Sequence, residues 1–301
     1  MSVPAVALPR RLTLVSRVGA YVALTKPRII ELLLITTLPT MILAKGGLPD
    51  VWLMVATLLG GALAAGGANA INMYVDRDID KLMHRTRKRP LVTGAIAPRN
   101  ALIFAVTLEV VAFVELWLWV NLLSAVLAVS ATLFYVFIYT LWLKRTSKQN
   151  IVIGGAAGAM PVLVGWAAVT DSLAWAPIVL FGIIFLWTPP HFWALAFKYR
   201  DDYEAASVPM MPVVASFRRT AIEIMVYTVA MVALTLVLAP VAHLGTLYVV
   251  AAAVLGAGFI ALAARLWVQG TAKSSMQLFS YSITYLTLLF VAMAVDVFIT
   301  H

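Results

Sequence analysis

The 301-residue chain has no cysteine, which removes disulfides, thiolate nucleophiles and cysteine-ligated metals at once. Charge is almost as scarce. Only 12% of the residues are Asp, Glu, Lys or Arg against 63% hydrophobic, too little polar surface for a water-soluble domain of this length. Acids are the rarer sign, 13 against 22 Lys and Arg, so any place where acids gather needs a reason. The first 25 residues lack the long apolar core and cleavage site of a removable leader and read as a flexible cytoplasmic N-terminal arm.

What the chain has instead is long apolar runs. Nine of them, about 29–45, 51–75, 100–119, 121–143, 151–170, 174–197, 220–240, 246–267 and 276–299, are long enough to cross a bilayer as helices. The Lys and Arg residues, Lys45 excepted, fall in the N-terminal segment or in the links after even-numbered runs. By the positive-inside rule the N-terminus is cytoplasmic and the C-terminus external, in a cell inner (plasma) membrane. The net charge of +9 is accounted for by that rule and implies no nucleic-acid partner, although Arg85-Thr86-Arg87-Lys88-Arg89 would resemble a nuclear-localisation run in a soluble protein. The fold expected is all-α and polytopic, with residues 26–301 forming one transmembrane domain. Asp76 and Asp202 sit just past even-numbered runs four spans apart, which suits a ring-like bundle whose acidic loops face each other over a central cavity. Gly154 and Gly158 form a G-x-x-x-G, expected to let two helices approach closely in lipid.

Asn72, Asp76 and Asp80 recur every fourth residue at the end of the second run. A helix from near Val51 that continued through them would stack all three on one face over about 12 Å. Two carboxylates so placed repel each other unless they are solvated or share a cation. Mg2+ prefers oxygen ligands and is often shared between carboxylates and a substrate's phosphates, while Arg85 and Arg89 just beyond are suited to grip phosphate oxygens. Together these parts make a diphosphate site. The competing reading is a solvated juxtamembrane helix in which Asp78 pairs with Lys81 and Asp80 with His84. A second polar patch, Lys198-Tyr199-Arg200-Asp201-Asp202-Tyr203-Glu204, leaves the sixth run on the same side, with Lys198 and Asp202 on one helical face. It is either functional or a solvated loop of mixed charge.

Four stretches in order, Asn72-x3-Asp76-Arg77-Asp78-Ile79-Asp80-x3-His84-Arg85-Thr86-x2-Arg89-Pro90-Leu91, Lys144-Arg145-Thr146-x3-Asn150 with its Gly/Ala-rich continuation, Pro189-Pro190-His191-Phe192-Trp193, and Asp202-Tyr203-x8-Met211-Pro212-Val213, resemble the signatures of the UbiA-type intramembrane prenyltransferases. Within that superfamily they are most similar to the heme-farnesylating branch, from about Lys26 to the last span. One departure stands out. Many members carry a second D-x-x-x-D, and here Lys198 occupies the first of those acid positions, so the number of metals at that loop stays open.

The resemblance implies farnesyl diphosphate as donor, the vinyl group of heme B as acceptor and Mg2+ as cofactor. It further implies that Asn72, Asp76, Asp80 and Asp202 ligate metal, with Arg85, Arg89, Arg145 and Lys198 clamping diphosphate. Arg77, Lys81, Lys144, Asn150, His191, Trp193, Asp201 and Tyr203 are the remaining substrate-binding candidates. Tyr135, Tyr139, Trp187 or Trp193 could face an allylic cation or simply belong to interfacial belts. His191 beside its two prolines would ligate heme iron or bind a propionate, or else hydrogen-bond a freed backbone carbonyl. Glu31, Glu223 and Asp296 read as snorkelling acids, whereas Glu109 and Glu115 lie deeper. Asp76→Ala is expected to remove turnover and spare the fold. A quinone-precursor aromatic acid is an alternative acceptor, an ion-coupled transporter using Glu109 and Glu115 a distant alternative, and a heme-handling membrane partner or homo-oligomer a possible assembly.

Overall fold

A computed structural model describes residues 13–300. Among the described residues it contains helices and no strands, as in-membrane backbone demands when no water is present to satisfy its polar groups. A short helix, α1 (Leu14–Thr25), occupies the second half of the segment read as a flexible arm, with Leu24 buried; residues 1–12 of that arm lie outside the described part. Nine longer helices follow: α2 (Pro27–Lys45), α3 (Val51–Val75), α4 (Pro98–Trp119), α5 (Leu122–Thr146), α6 (Asn150–Thr170), α7 (Trp175–Lys198), α8 (Phe217–Val241), α9 (Thr246–Gln269) and α10 (Ala272–Thr300). Each apolar run expected to span is one of these helices, with ends a few residues away.

Every helix from α2 to α10 packs on its successor, and α10 returns to α2, so the bundle closes into a ring. Contacts of α2 with α6 and of α7 with α10 cross its interior. Helices α3 and α4 approach most intimately, through Gly60 and Gly67. A Cβ on Gly60 would lie 2.0 Å from Oε2 of Glu115, and one on Gly67 would lie 2.6 Å from Oε1 of Glu109. The expected Gly154/Gly158 pair does not work in this way: Gly154 lies under the ring of Tyr139, and a Cβ on Gly158 would meet nothing within 4 Å. Helix α6 makes its own close approaches at other glycines, since a Cβ on Gly165 would lie 2.8 Å from the Thr37 carbonyl oxygen of α2 and one on Gly155 2.9 Å from Thr188 of α7.

Threonine hydroxyls along the spans fold back onto carbonyls four residues earlier, among them Thr40 to Thr36, Thr57 to Leu53 and Thr228 to Ile224. Asp296, read as snorkelling, is buried and accepts the backbone N–H groups of Gly245 and Tyr248, capping the start of α9. The outer surface is apolar, with Val106, Val110, Val250 and Val254 exposed to the lipid region and Trp52 and Trp119 meeting edge to face near one end.

Candidate active site

Helix α3 stops at Val75, the end expected for the second run, and does not continue straight through Asp80. Asp76 is its C-cap, and the chain passes through turns and a single 3-10 turn, Ile79–Lys81. The i to i+4 bond from Asp80 N–H to the Asp76 carbonyl survives at 2.9 Å, so the two carboxylates remain on one side of the bend. Both are buried.

Basic groups from three parts of the chain converge on these acids. Lys144, at the end of α5, pairs with Asp76 Oδ2, which also accepts Asn72 Nδ2–H at 2.8 Å. Arg89 donates to both oxygens of Asp80, at 2.8 and 2.6 Å. Arg145 forks onto Asp78 with two bonds of 2.7 Å, donates to the Val75 carbonyl and reaches to 3.8 Å of Asp76. Lys26, in the left-handed link between α1 and α2, donates to Asn72 Oδ1 at 2.7 Å. The pairs proposed for a solvated helix, Asp78 with Lys81 and Asp80 with His84, are not the ones formed; the partners are Arg145 and Arg89. Four cations thus surround three carboxylates, a surplus that suits a polyanionic ligand.

The charges act on one another. The Arg145 hydrogen bonds hold the Asp78 carboxyl down at about 2. Removal from water, then repulsion from Arg89 and Lys144, lowers the Lys26 ammonium to about 7, against the pull of Asp76 and Asp80.

Helix α5 adjusts to reach the cluster. Over Phe134–Leu143 it widens to i to i+5 bonding, and Thr140 donates to the Tyr135 carbonyl while accepting Asn72 Nδ2–H at 3.1 Å. The same turn stacks Tyr135 on Tyr139 with centroids 5.4 Å apart. Lys26, Thr140 and Thr86, whose hydroxyl donates to the Asp80 carbonyl, are site residues the sequence reading missed. Lys26 had one usable signal, a charge set directly before Pro27 at a helix entrance; a hydroxyl inside the run 134–143 has none.

The second polar patch meets the first. Asp202 accepts the backbone N–H groups of His84 and Arg85, each at 3.0 Å, and so clips the short helix Arg200–Ala205 to the 76–97 loop. Arg85 lies over the rings of Tyr199 and Tyr203 and donates to the Tyr203 hydroxyl at 3.2 Å. Lys198, Asp201 and Lys81 are exposed and join no ion pair among the described residues. Arg77 turns back onto Tyr74, over its ring and to its carbonyl.

Three more candidates sit apart. Asn150 is buried at the start of α6 with both amide atoms unpartnered. Trp193 is fully buried against Tyr227 of α8. His191 lies between the rings of Trp187, at 4.2 Å, and Phe279, at 4.7 Å. Its Nδ1 meets Ser282 Oγ at 2.6 Å, and Ser282 donates its own proton to the Phe279 carbonyl. One hydroxyl has one proton, so Nδ1 is the donor and Nε2 keeps a lone pair. The partner is thus a hydroxyl of α10, in place of a carbonyl freed by Pro189 or Pro190.

Could these residues hold a divalent ion? The described residues contain no ready cluster of three or more His, Cys, Asp or Glu. The donor chemistry nevertheless fits: Asp76 Oδ1 is buried without a hydrogen-bond partner, beside a second carboxylate and a carboxamide oxygen.

The model of the UbiA prenyltransferase family matches residues 33–293. The chain belongs to that family. It is 52% identical over 97% of its length to a protein from Renibacterium salmoninarum called protoheme IX farnesyltransferase, covering 93% of that relative. It is 55% identical, with the same coverages, to protoheme IX farnesyltransferase 1 of Saccharopolyspora erythraea. Among solved structures, a digeranylgeranylglyceryl phosphate synthase superposes with a TM-score of 0.77 at 18% identity, over 93% of this chain and 98% of that one. A UbiA homologue from Archaeoglobus fulgidus bound to GPP and Mg2+ superposes with 0.61 at 16% identity, over 91% and 99%. Membership and the nine-span fold are as the sequence reading expected.

Proposed function

We propose that this prenyltransferase moves a farnesyl group from farnesyl diphosphate to a vinyl group of heme B, giving heme O. The observation that carries the reading is the buried acid row, Asp76 and Asp80 beside Asn72, enclosed by Lys26, Arg89, Lys144 and Arg145. The names of relatives above 50% identity support this choice of substrates.

The chemical difficulty lies in breaking an allylic C–O bond, which leaves a diphosphate anion and a delocalised carbocation. Asn72, Asp76 and Asp80 are the residues that would hold Mg2+, whose contribution when bound is to neutralise charge growing on the leaving group. Lys26, Lys144, Arg145 and Arg89 serve carboxylates and phosphates alike, and a bound diphosphate competes with the acids for their N–H groups. Asp202 holds the Arg85 segment against the short helix Arg200–Ala205, which keeps that guanidinium at the mouth of the site. The stacked rings of Tyr135 and Tyr139 offer π faces to the cation. Attack by the vinyl π electrons forms the new C–C bond, and water then adds to the cation beside the pyrrole and releases a proton. His191 orients the acceptor, with Nε2 directed to heme iron. Residues 26–301 act as one catalytic unit, with the acid row on the cytoplasmic side of a plasma membrane, where nearly all the basic side chains lie.

The test is direct. Purified protein given farnesyl diphosphate, heme B and Mg2+ should release diphosphate and make a pigment heavier than heme B by a farnesyl group plus a hydroxyl. Binding of both substrates with no such product over hours would defeat the assignment.

A further inference from the structure

Two recesses lie away from the acid row, on the half of the ring built by α7 to α10. One, of about 280 Å3, is walled by Phe197, Arg200, Ser216, Thr271 and Ser275 at the end of α7. The other, of about 620 Å3, runs between α9 and α10 past Leu262, Lys273, Met276, Gln277 and Tyr281. Ala272 lines both, so they adjoin at the start of α10.

Polarity falls along this path. A guanidinium and three hydroxyls line the first recess; an ammonium opens the second, an amide follows one turn deeper, and beyond it the wall is Leu262, Met276 and the Tyr281 ring with the hydroxyls of Ser280 and Thr284. One turn of α10 is about 5–6 Å, roughly the depth from a lipid phosphate to its ester carbonyls. No carboxylate lines either recess, and among the described residues neither Arg200 nor Lys273 joins an ion pair. Gln277 Oε1 is buried without a partner, and rotation of the amide presents its N–H2 there instead.

We propose that the adjoining recesses bind an anionic glycerophospholipid, with the phosphate against Arg200 and Lys273, an ester carbonyl on the Gln277 amide and an acyl chain along α9 and α10. A free phosphate would use only the charged end. A head-and-tail molecule uses all of it, and an unpaired Arg and Lys at the membrane surface select a negative head over a zwitterionic one.

The full chain, stripped of lipid and titrated in native mass spectrometry, should retain phosphatidylglycerol about tenfold or more over phosphatidylcholine. R200Q/K273Q should lose that preference. K88Q/K148Q, which removes as much charge from the other half of the ring, should keep it. Equal retention of the two lipids, or an unchanged preference in R200Q/K273Q, overturns the proposal. So does displacement of phosphatidylglycerol at equal concentration by farnesyl diphosphate or by inorganic diphosphate, which would assign the site to substrate or to free phosphate.

Discussion

Asp76 can be separated into its two roles, holding the fold and serving the chemistry. Its side chain is 0% exposed, and that of its partner Lys144 only 14%. Asp76→Ala therefore strands an ammonium with little access to water, a loss of about 3–5 kcal/mol. The expectation that alanine here spares the fold thus gives way to a predicted fall of several degrees in melting temperature. Asp76→Asn keeps an acceptor for Asn72 and Lys144 and should cost less. The double variant D76A/K144M removes both charges, and a methionine tolerates the apolar surroundings, so it should regain most of the lost stability. Turnover should follow a different order. All three variants should release diphosphate at least about 10^3-fold more slowly, equivalent to about 4 kcal/mol in the barrier. Melting curves in detergent and a coupled diphosphate assay give both readouts from one preparation. Asp76→Asn turning over within about threefold of the parent would refute the role given to the acid row; D76A/K144M as unstable as D76A would refute the account of Lys144.

Asp202→Ala removes the acceptor for two loop N–H groups, and hydrogen exchange at residues 84–86 should accelerate by about tenfold or more while the spans stay protected. Gly60→Ala should destabilise by about 1–3 kcal/mol through the clash with Glu115, whereas Gly61→Ala, which meets open space, should be neutral or slightly stabilising in the same thermal assay. His191→Ala should abolish the perturbed absorbance of bound heme, and Ser282→Ala should weaken heme binding about tenfold by freeing the tautomer; an unchanged spectrum in His191→Ala would place the iron elsewhere. Chelating divalent ions should stop turnover reversibly and leave the melting temperature of the substrate-free protein unchanged.

The spans were legible because bilayer thickness dictates the length of an apolar run, and no distant contact alters that demand. The acid row was legible for a similar reason, since i, i+4 spacing is local. Its geometry was not. Arg145 lies 67 residues from Asp78, and Asp202 lies 118 from His84, and these contacts decide where α3 ends and how the loop folds. The glycine reading failed on the same account: spacing shows that Gly154 and Gly158 share a helix face, but only the neighbours reveal that Tyr139 covers one of them. The tautomer of His191 depends on a serine 91 residues away, in a helix with several serines to choose from.

Closure of the ring between α10 and α2 carries a topological consequence. Chain neighbours that cross a bilayer in succession run antiparallel, but the first and ninth of an odd series run the same way, so at this seam, as in the interior contact of α2 with α6, packed helices point in a common direction. No short hairpin can join them. Their backbone dipoles lie side by side, and they meet only after seven other crossings have been laid down. The barrel is therefore sealed by the meeting of its first and ninth staves, and without that contact its interior would lie open along one flank.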